Sequence, residues 1–217
     1  MILDISSIDR LFTWQEYLDY SGNLFIKNNR TTSESETYNS QEILDYTKLN
    51  FARIKRVGKQ LNLSDDIKKT ITKLPVQWRW IMLVESWCGD VAQVGPVIAE
   101  IAASTDLIEF SIVLRDRNID LMDQFLTNGG RAIPKLICLN ANTYKVVGSW
   151  GPRPQILQEL MNSWATEELT LMQKAERLHK WYADDHTINT QLELNTILNE
   201  WIEASIALAY TPVDSHS

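Results

Sequence analysis

The segment Trp87-Cys88-Gly89-Asp90 holds the residue types in this sequence best suited to chemistry. Cys88 stands between a short apolar run, Trp80-Ile81-Met82-Leu83-Val84, and a stretch of small and apolar residues, 91–103, that reads as a helix. A cysteine at a helix N-terminus faces backbone N–H groups without carbonyl partners and the positive end of the helix dipole. Both favour the thiolate and pull the thiol below its ordinary value of about 8.5. The thiolate is the attacking species in disulfide exchange. A lone cysteine also serves as a small buried hydrophobe, so position alone leaves both readings open. The other cysteine is Cys138, and two cysteines make no disulfide framework. His179, His186 and His216 do not stand near either cysteine at zinc-ligand spacing.

The elements that must position Cys88 follow from periodicity. The run 80–84 suits a strand buried on both faces. Ile108–Leu114 reads as a second strand, and 133–139 and 144–147 as two more, joined by Asn140-Ala141-Asn142-Thr143. Helices are expected over 91–103 and 119–126, the latter stopped by Gly129-Gly130. Strand, helix, strand implies a parallel first pair, and the short last connection implies an antiparallel hairpin. The fold class is therefore α/β, a mixed sheet flanked by helices.

The flanks read as helical. Apolar residues between Ile8 and Leu18 suggest a short helix, and the polar stretch 27–40 a linker or loop. Asn39, with Glu42 three residues on, is a plausible cap for a helix reaching Leu61. Ser64 before Asp65 and Asp66 opens another that Pro75 ends. Pro152 and Pro154 introduce a C-terminal helical region in which Leu157, Leu160, Met161 and Trp164 share a face, and Asp184-Asp185 marks a turn or cap. The tail 211–217 reads as loose. This gives an extension over 1–74, a central domain over 75–164, and a second extension over 165–217 packed on it. Part of the extensions' apolar surface could serve a homodimer.

Four features in order make the sequence resemble the thioredoxin superfamily. Trp87-Cys88-Gly89 is similar to the start of that family's active site. Pro96, eight residues after Cys88, matches the proline that kinks its active-site helix. Arg131-Ala132-Ile133-Pro134 followed by Lys135-Leu136-Ile137 resembles the loop and strand holding the family's cis-proline. Val147-Gly148 resembles the turn near the last strand. The resemblance covers about 76–164, and the pattern WCGD, NGGRAIPKLI, WGPRP is similar to a bacterial thioredoxin-like branch with helical extensions. It implies that Cys88 is the nucleophile and that Ile133-Pro134 is a cis peptide, a conformation that costs an X-Pro bond only about 0.5–1 kcal/mol. Ile133 would then offer its N–H and C=O to an extended substrate, as in strand addition. Trp87, Gly89 and Asp90 would border the same groove.

Several departures bear on reactivity. Val91 occupies the place of the resolving cysteine, so the usual intramolecular disulfide cannot form and release of a mixed disulfide needs an external thiol such as glutathione. Cys138 lies four residues beyond Pro134 along a strand, about 13 Å at about 3.3 Å per residue, which suits a core residue. Met82 stands where the family carries a buried acid; Glu85 is nearby, but its alignment differs and it is not assigned that role. Asp90 replaces the motif's proline. It suits a helix N-terminus, yet puts a negative charge near the sulfur that opposes the dipole. Lys135 either offsets that charge or is simply solvated.

Composition narrows the classes. The chain has 217 residues with 44% apolar and 23% charged residues, enough to bury about 70% of its unfolded surface without disulfide or metal. Its 28 acidic against 21 basic residues, a net charge of −7, argue against a phosphate-neutralising surface and so against nucleic acid. There is no apolar run of membrane length and no basic, apolar leader at the start, so the expected setting is cytoplasmic, with no membrane partner. Two functions compete. One is a monothiol thiol–disulfide oxidoreductase acting through Cys88 on a protein or low-molecular-weight disulfide, with no resident cofactor. The other is a non-catalytic module that binds a peptide or protein beside Pro134. Iron–sulfur ligation by two monothiol subunits ranks last, because Cys-Gly-Asp-Val differs from the usual monothiol glutaredoxin motif.

Overall fold

The computed structural model describes residues 1–31 and 40–210. Apolar strands assemble into a four-stranded sheet: β1 (Trp78–Val84), β2 (Ile108–Leu114), β3 (Lys135–Asn140) and β4 (Val146–Trp150), in the order β2-β1-β3-β4. β1 runs parallel to β2 and antiparallel to β3, and β4 is antiparallel to β3. The unbroken apolar run of β1 explains its central place. Ile81, Met82, Leu83 and Val84 are fully buried, as a strand covered on both faces requires.

Among the described residues, three α-helices precede the sheet: α1 (Trp14–Ile26), α2 (Gln41–Gln60) and α3 (Asp65–Ile71). The first starts later than the apolar residues near Ile8 suggest. Thr13 and Glu16 form a reciprocal capping box, while Phe12 stays extended and pairs with Ile112 at the outer edge of β2. Ser40 caps α2, accepting from Ile43 N–H, and the proposed cap Asn39 lies outside the described residues. Ser64 caps α3 as expected.

α4 (Gly89–Ala103) links β1 to β2 and contains Pro96. α5 (Ile119–Met122) is shorter than the expected 119–126, because Thr127 and Gly130 exchange backbone hydrogen bonds and turn the chain. β4 begins at Val146 rather than Tyr144. Tyr144 has φ +54° and belongs to the turn, where Asn140 Oδ1 accepts from the N–H groups of Asn142 and Thr143. α6 (Gln155–Trp164), α7 (Leu171–Asp185) and α8 (Ile188–Tyr210) complete the fold. His186 and Thr187, at φ +50° and +68°, make the sharp corner after Asp185. The tail 211–217 lies outside the described residues.

α8 is held to the sheet by tryptophans. Trp78 and Trp80, two residues apart and so on one face of β1, each meet the Trp201 ring edge-on with centroids 6.1 Å apart. Trp78 Nε1 donates to Ser205 Oγ at 3.0 Å. Trp201 also lies on Gly148 of β4, in space that a side chain there would need.

Candidate functional site

Cys88 is fixed by the end of β1 and the start of α4. Its N–H donates to Glu85 O at 3.1 Å, its carbonyl accepts from Ala92 N–H, and it is the N-cap residue of α4. The helix therefore starts two residues before the expected 91. The Cys88 thiol donates to Ile133 O at 3.2 Å. The Ile133–Pro134 peptide is cis and precedes β3, whose first residue, Lys135, pairs with Leu83 of β1. Sequence separation of 45 residues thus collapses to one sulfur-to-carbonyl contact.

The thiol is covered. Cys88 is 7% exposed, Ile133 5% and Asp90 4%. α2 and α7 pack over Gly89 and Asp90, the residues that follow Cys88. Tyr46 of α2 and His179 of α7 meet over Gly89, where a Cβ would lie 2.7 Å from Tyr46 Oη and 2.8 Å from His179 Cε1. Gln93 Nε2 donates to His179 Nδ1 at 3.0 Å, which leaves the ring proton on Nε2, 2.5 Å from Tyr46 Oη. Burial, aided by Arg53 and Arg56, pulls His179 down to about 3, so the ring is neutral.

Electrostatics at Cys88 run opposite to the simple helix-terminus expectation. The N–H groups of Val91 and Asp90 do favour the thiolate. Burial, and after it the Asp90 carboxylate, outweigh them and push the thiol up to about 12. Asp90 does not face an open groove. Its Oδ2 accepts from Arg153 Nη2 at 2.6 Å and Nε at 3.1 Å, and its Oδ1 accepts from Tyr182 of α7 at 2.7 Å. Lys135 is neither solvated nor paired with Asp90. It is buried, and its Nζ donates to Thr127 Oγ1 at 2.6 Å and Gly151 O at 3.3 Å. Arg153 carries out the charge compensation considered for Lys135.

Trp87 is half-buried with the Arg115 guanidinium over its ring at 5.2 Å. Glu85, three residues before Cys88, is fully buried. Its Oε1 accepts from Asp116 N–H at 3.0 Å and its Oε2 is hydrogen-bonded to Thr31 Oγ1. Burial is the main cause that pushes its carboxyl up to about 8. Cys138 is fully buried on β3 opposite Trp80, and both cysteines are free. A surface cavity of about 480 Å³ between α1, α2 and α4, lined by Trp14, Ile54 and Pro96 among others, does not include Cys88. Among the described residues, no group of three or more His, Cys, Asp or Glu could hold a metal ion, and no helix is long and apolar enough to cross a membrane.

Sequence reasoning missed Arg153, Tyr182, His179 and Tyr46. Only Arg153 left a signal, inside the quoted Trp-Gly-Pro-Arg-Pro stretch. The helical residues carry periodicity but nothing that names their target.

The model of the thioredoxin family matches residues 37–181, about two-thirds of the sequence. The chain belongs to the thioredoxin family. The matched region takes in α2 and most of α7 as well as the sheet. Two solved structures resemble this thioredoxin-family chain in fold. A protein of unknown function from Pseudomonas aeruginosa has a TM-score of 0.51 at 13% identity, covering 91% of this chain and 99% of its own. An HIV epitope-scaffold protein has a TM-score of 0.50 at 15% identity, covering 75% and 90%. No curated protein matches.

Proposed function

We propose that this thioredoxin-family protein is a monothiol thiol–disulfide exchange protein that uses Cys88. The observation that carries the reading is the Cys88 thiol at the head of α4, 3.2 Å from the carbonyl of Ile133, on the backbone an extended substrate would pair with. In the exchange, Cys88 loses its proton to solvent and attacks one sulfur of a disulfide R–S–S–R′. A Cys88–S–S–R bond forms, and R′–S⁻ leaves and is protonated. With Val91 in the resolving position, an external thiol such as glutathione attacks the R sulfur, forms a new disulfide with it, and frees Cys88 as a thiolate. Substrates of this class are protein or low-molecular-weight disulfides. The test is turnover of a small mixed disulfide with glutathione. The native chain is expected to turn over and Cys88→Ala to lose turnover; equal rates for the two would overturn the reading.

A second reading, a non-catalytic binding module, is favoured by one specific observation. The resting thiol is covered and pushed up to about 12. On that reading the native chain gives no mixed disulfide with glutathione disulfide, and Cys88 reacts only after unfolding.

A further inference from the structure

Asp90 creates a problem at the site, since a carboxylate beside the sulfur works against the thiolate. The structure surrounds that carboxylate. Arg153, in the loop between β4 and α6, approaches Oδ2 with two nitrogens, at 2.6 and 3.1 Å, while Tyr182 donates to Oδ1. Arg153 is itself steadied by Gln158 of α6, whose Oε1 accepts from Nη1 at 2.9 Å. The ion pair is largely buried, with 16% of the Arg153 side chain and 6% of the Asp90 side chain exposed. Burial alone would lower Arg153, but the Asp90 carboxylate reverses this and holds the guanidinium above its ordinary value.

Of the other titratable groups around the sulfur, the tyrosines, His179 and Glu85 are uncharged near neutral pH. Tyr17 of α1, Tyr46 of α2 and Tyr182 of α7 all feel the Cys88 charge and are all pushed up by burial. His179 of α7 is neutral. Glu85, in the loop before Cys88, is pushed up to about 8, and Arg53 and Arg56 face Tyr46 and His179. The charges acting on the sulfur are Asp90, which opposes the thiolate, and Arg153, which favours it.

We propose that Arg153 is a positioning residue of the Cys88 site: acting through Asp90, it offsets part of the carboxylate's charge beside the sulfur and so tunes the reactivity of the thiol. The proposal deepens the thiol-exchange reading and rests on it for its purpose, but its test reads reactivity and not turnover.

The experiment measures the rate of Cys88 alkylation by iodoacetamide in the full chain between pH 7 and 10, read by mass spectrometry, with the buried Cys138 as the internal monitor of an intact core. Arg153→Met is expected to slow Cys88 by about tenfold at a given pH, and Asp90→Asn to speed it by about tenfold. The double variant is expected to return to near the native rate, and Arg153→Lys, which keeps the charge, to retain most of it. A merely structural Arg153 would loosen the cover when lost. Arg153→Met would then react as fast as the native chain or faster, and the double variant would not return toward the native rate; either result overturns the proposal. If Arg153→Met unfolds, shown by Cys138 becoming reactive, Asp90→Asn decides: no acceleration with Cys138 still protected overturns it. Charge-dependent reactivity without glutathione turnover would sink the exchange function while leaving Arg153's role intact. Turnover without charge dependence would do the reverse.

Discussion

Burial acts on Glu85 and Cys88 in the same direction, toward the protonated form. For Glu85 this has a consequence for stability. Its carboxyl is raised from the ordinary 4.5 to about 8 in the folded chain. Between those values the folded protein holds a proton that the unfolded chain has released. Unfolding then releases a proton, so stability falls as pH rises through this window and the loss is complete above about 8. Glu85→Gln replaces the neutral carboxyl with a neutral amide that can still accept from Asp116 N–H and donate to Thr31 Oγ1. Urea unfolding should find native and variant similar at about pH 5 and the variant more stable by roughly a few kcal/mol at about pH 9. A difference that does not change with pH would show that Glu85 is not a proton-holding group. For Cys88, a rise from 9.0 to about 12 means a thiolate fraction about a thousandfold below that of an exposed thiol at neutral pH. The proposed exchange at Cys88 therefore depends on whatever relieves the burial and the Asp90 charge.

At the scale of elements, α8 is locked to the sheet by Trp201, and Gly148 makes room for it. A Cβ at residue 148 would lie 2.1 Å from Trp201 Nε1. Gly148→Ala should lower stability by about 1–3 kcal/mol, the usual cost of overpacking, read as a lower thermal midpoint. An unchanged midpoint would mean that α8 adjusts without loss. The same elements show what the sequence conveyed. β1 and β2 were legible because continuous apolar runs have few alternative uses, and β2 falls on its expected residues. β4 was misplaced because the left-handed turn residue Tyr144 is aromatic and reads as a strand former. The head of α4 was legible from Cys88, Gly89 and the helix that follows. Its cover was not, since the Tyr46–His179 contact spans 133 residues and the Tyr182–Asp90 contact 92. Helical periodicity says which face is apolar, not which distant loop it will meet. Lys135 was the nearer cation in sequence, but its strand register points it into a different set of acceptors from those Arg153 reaches.

At the scale of the whole molecule, the helices flanking the sheet belong to the account of the site. Tyr46 and His179 both lie within the region matched by the thioredoxin family, 37–181, and Tyr182 lies one residue beyond it. α2 and α7, from opposite sides of the sheet in sequence, meet over Gly89 and reach Asp90, the two residues that follow the buried Cys88. The most direct measurement is the intact mass of the native chain after incubation with glutathione disulfide, followed by peptide mapping. A single glutathione adduct on Cys88, absent from Cys138 and removed by added glutathione, is the predicted result. A native chain that stays unmodified until it is unfolded would contradict thiol exchange as its function.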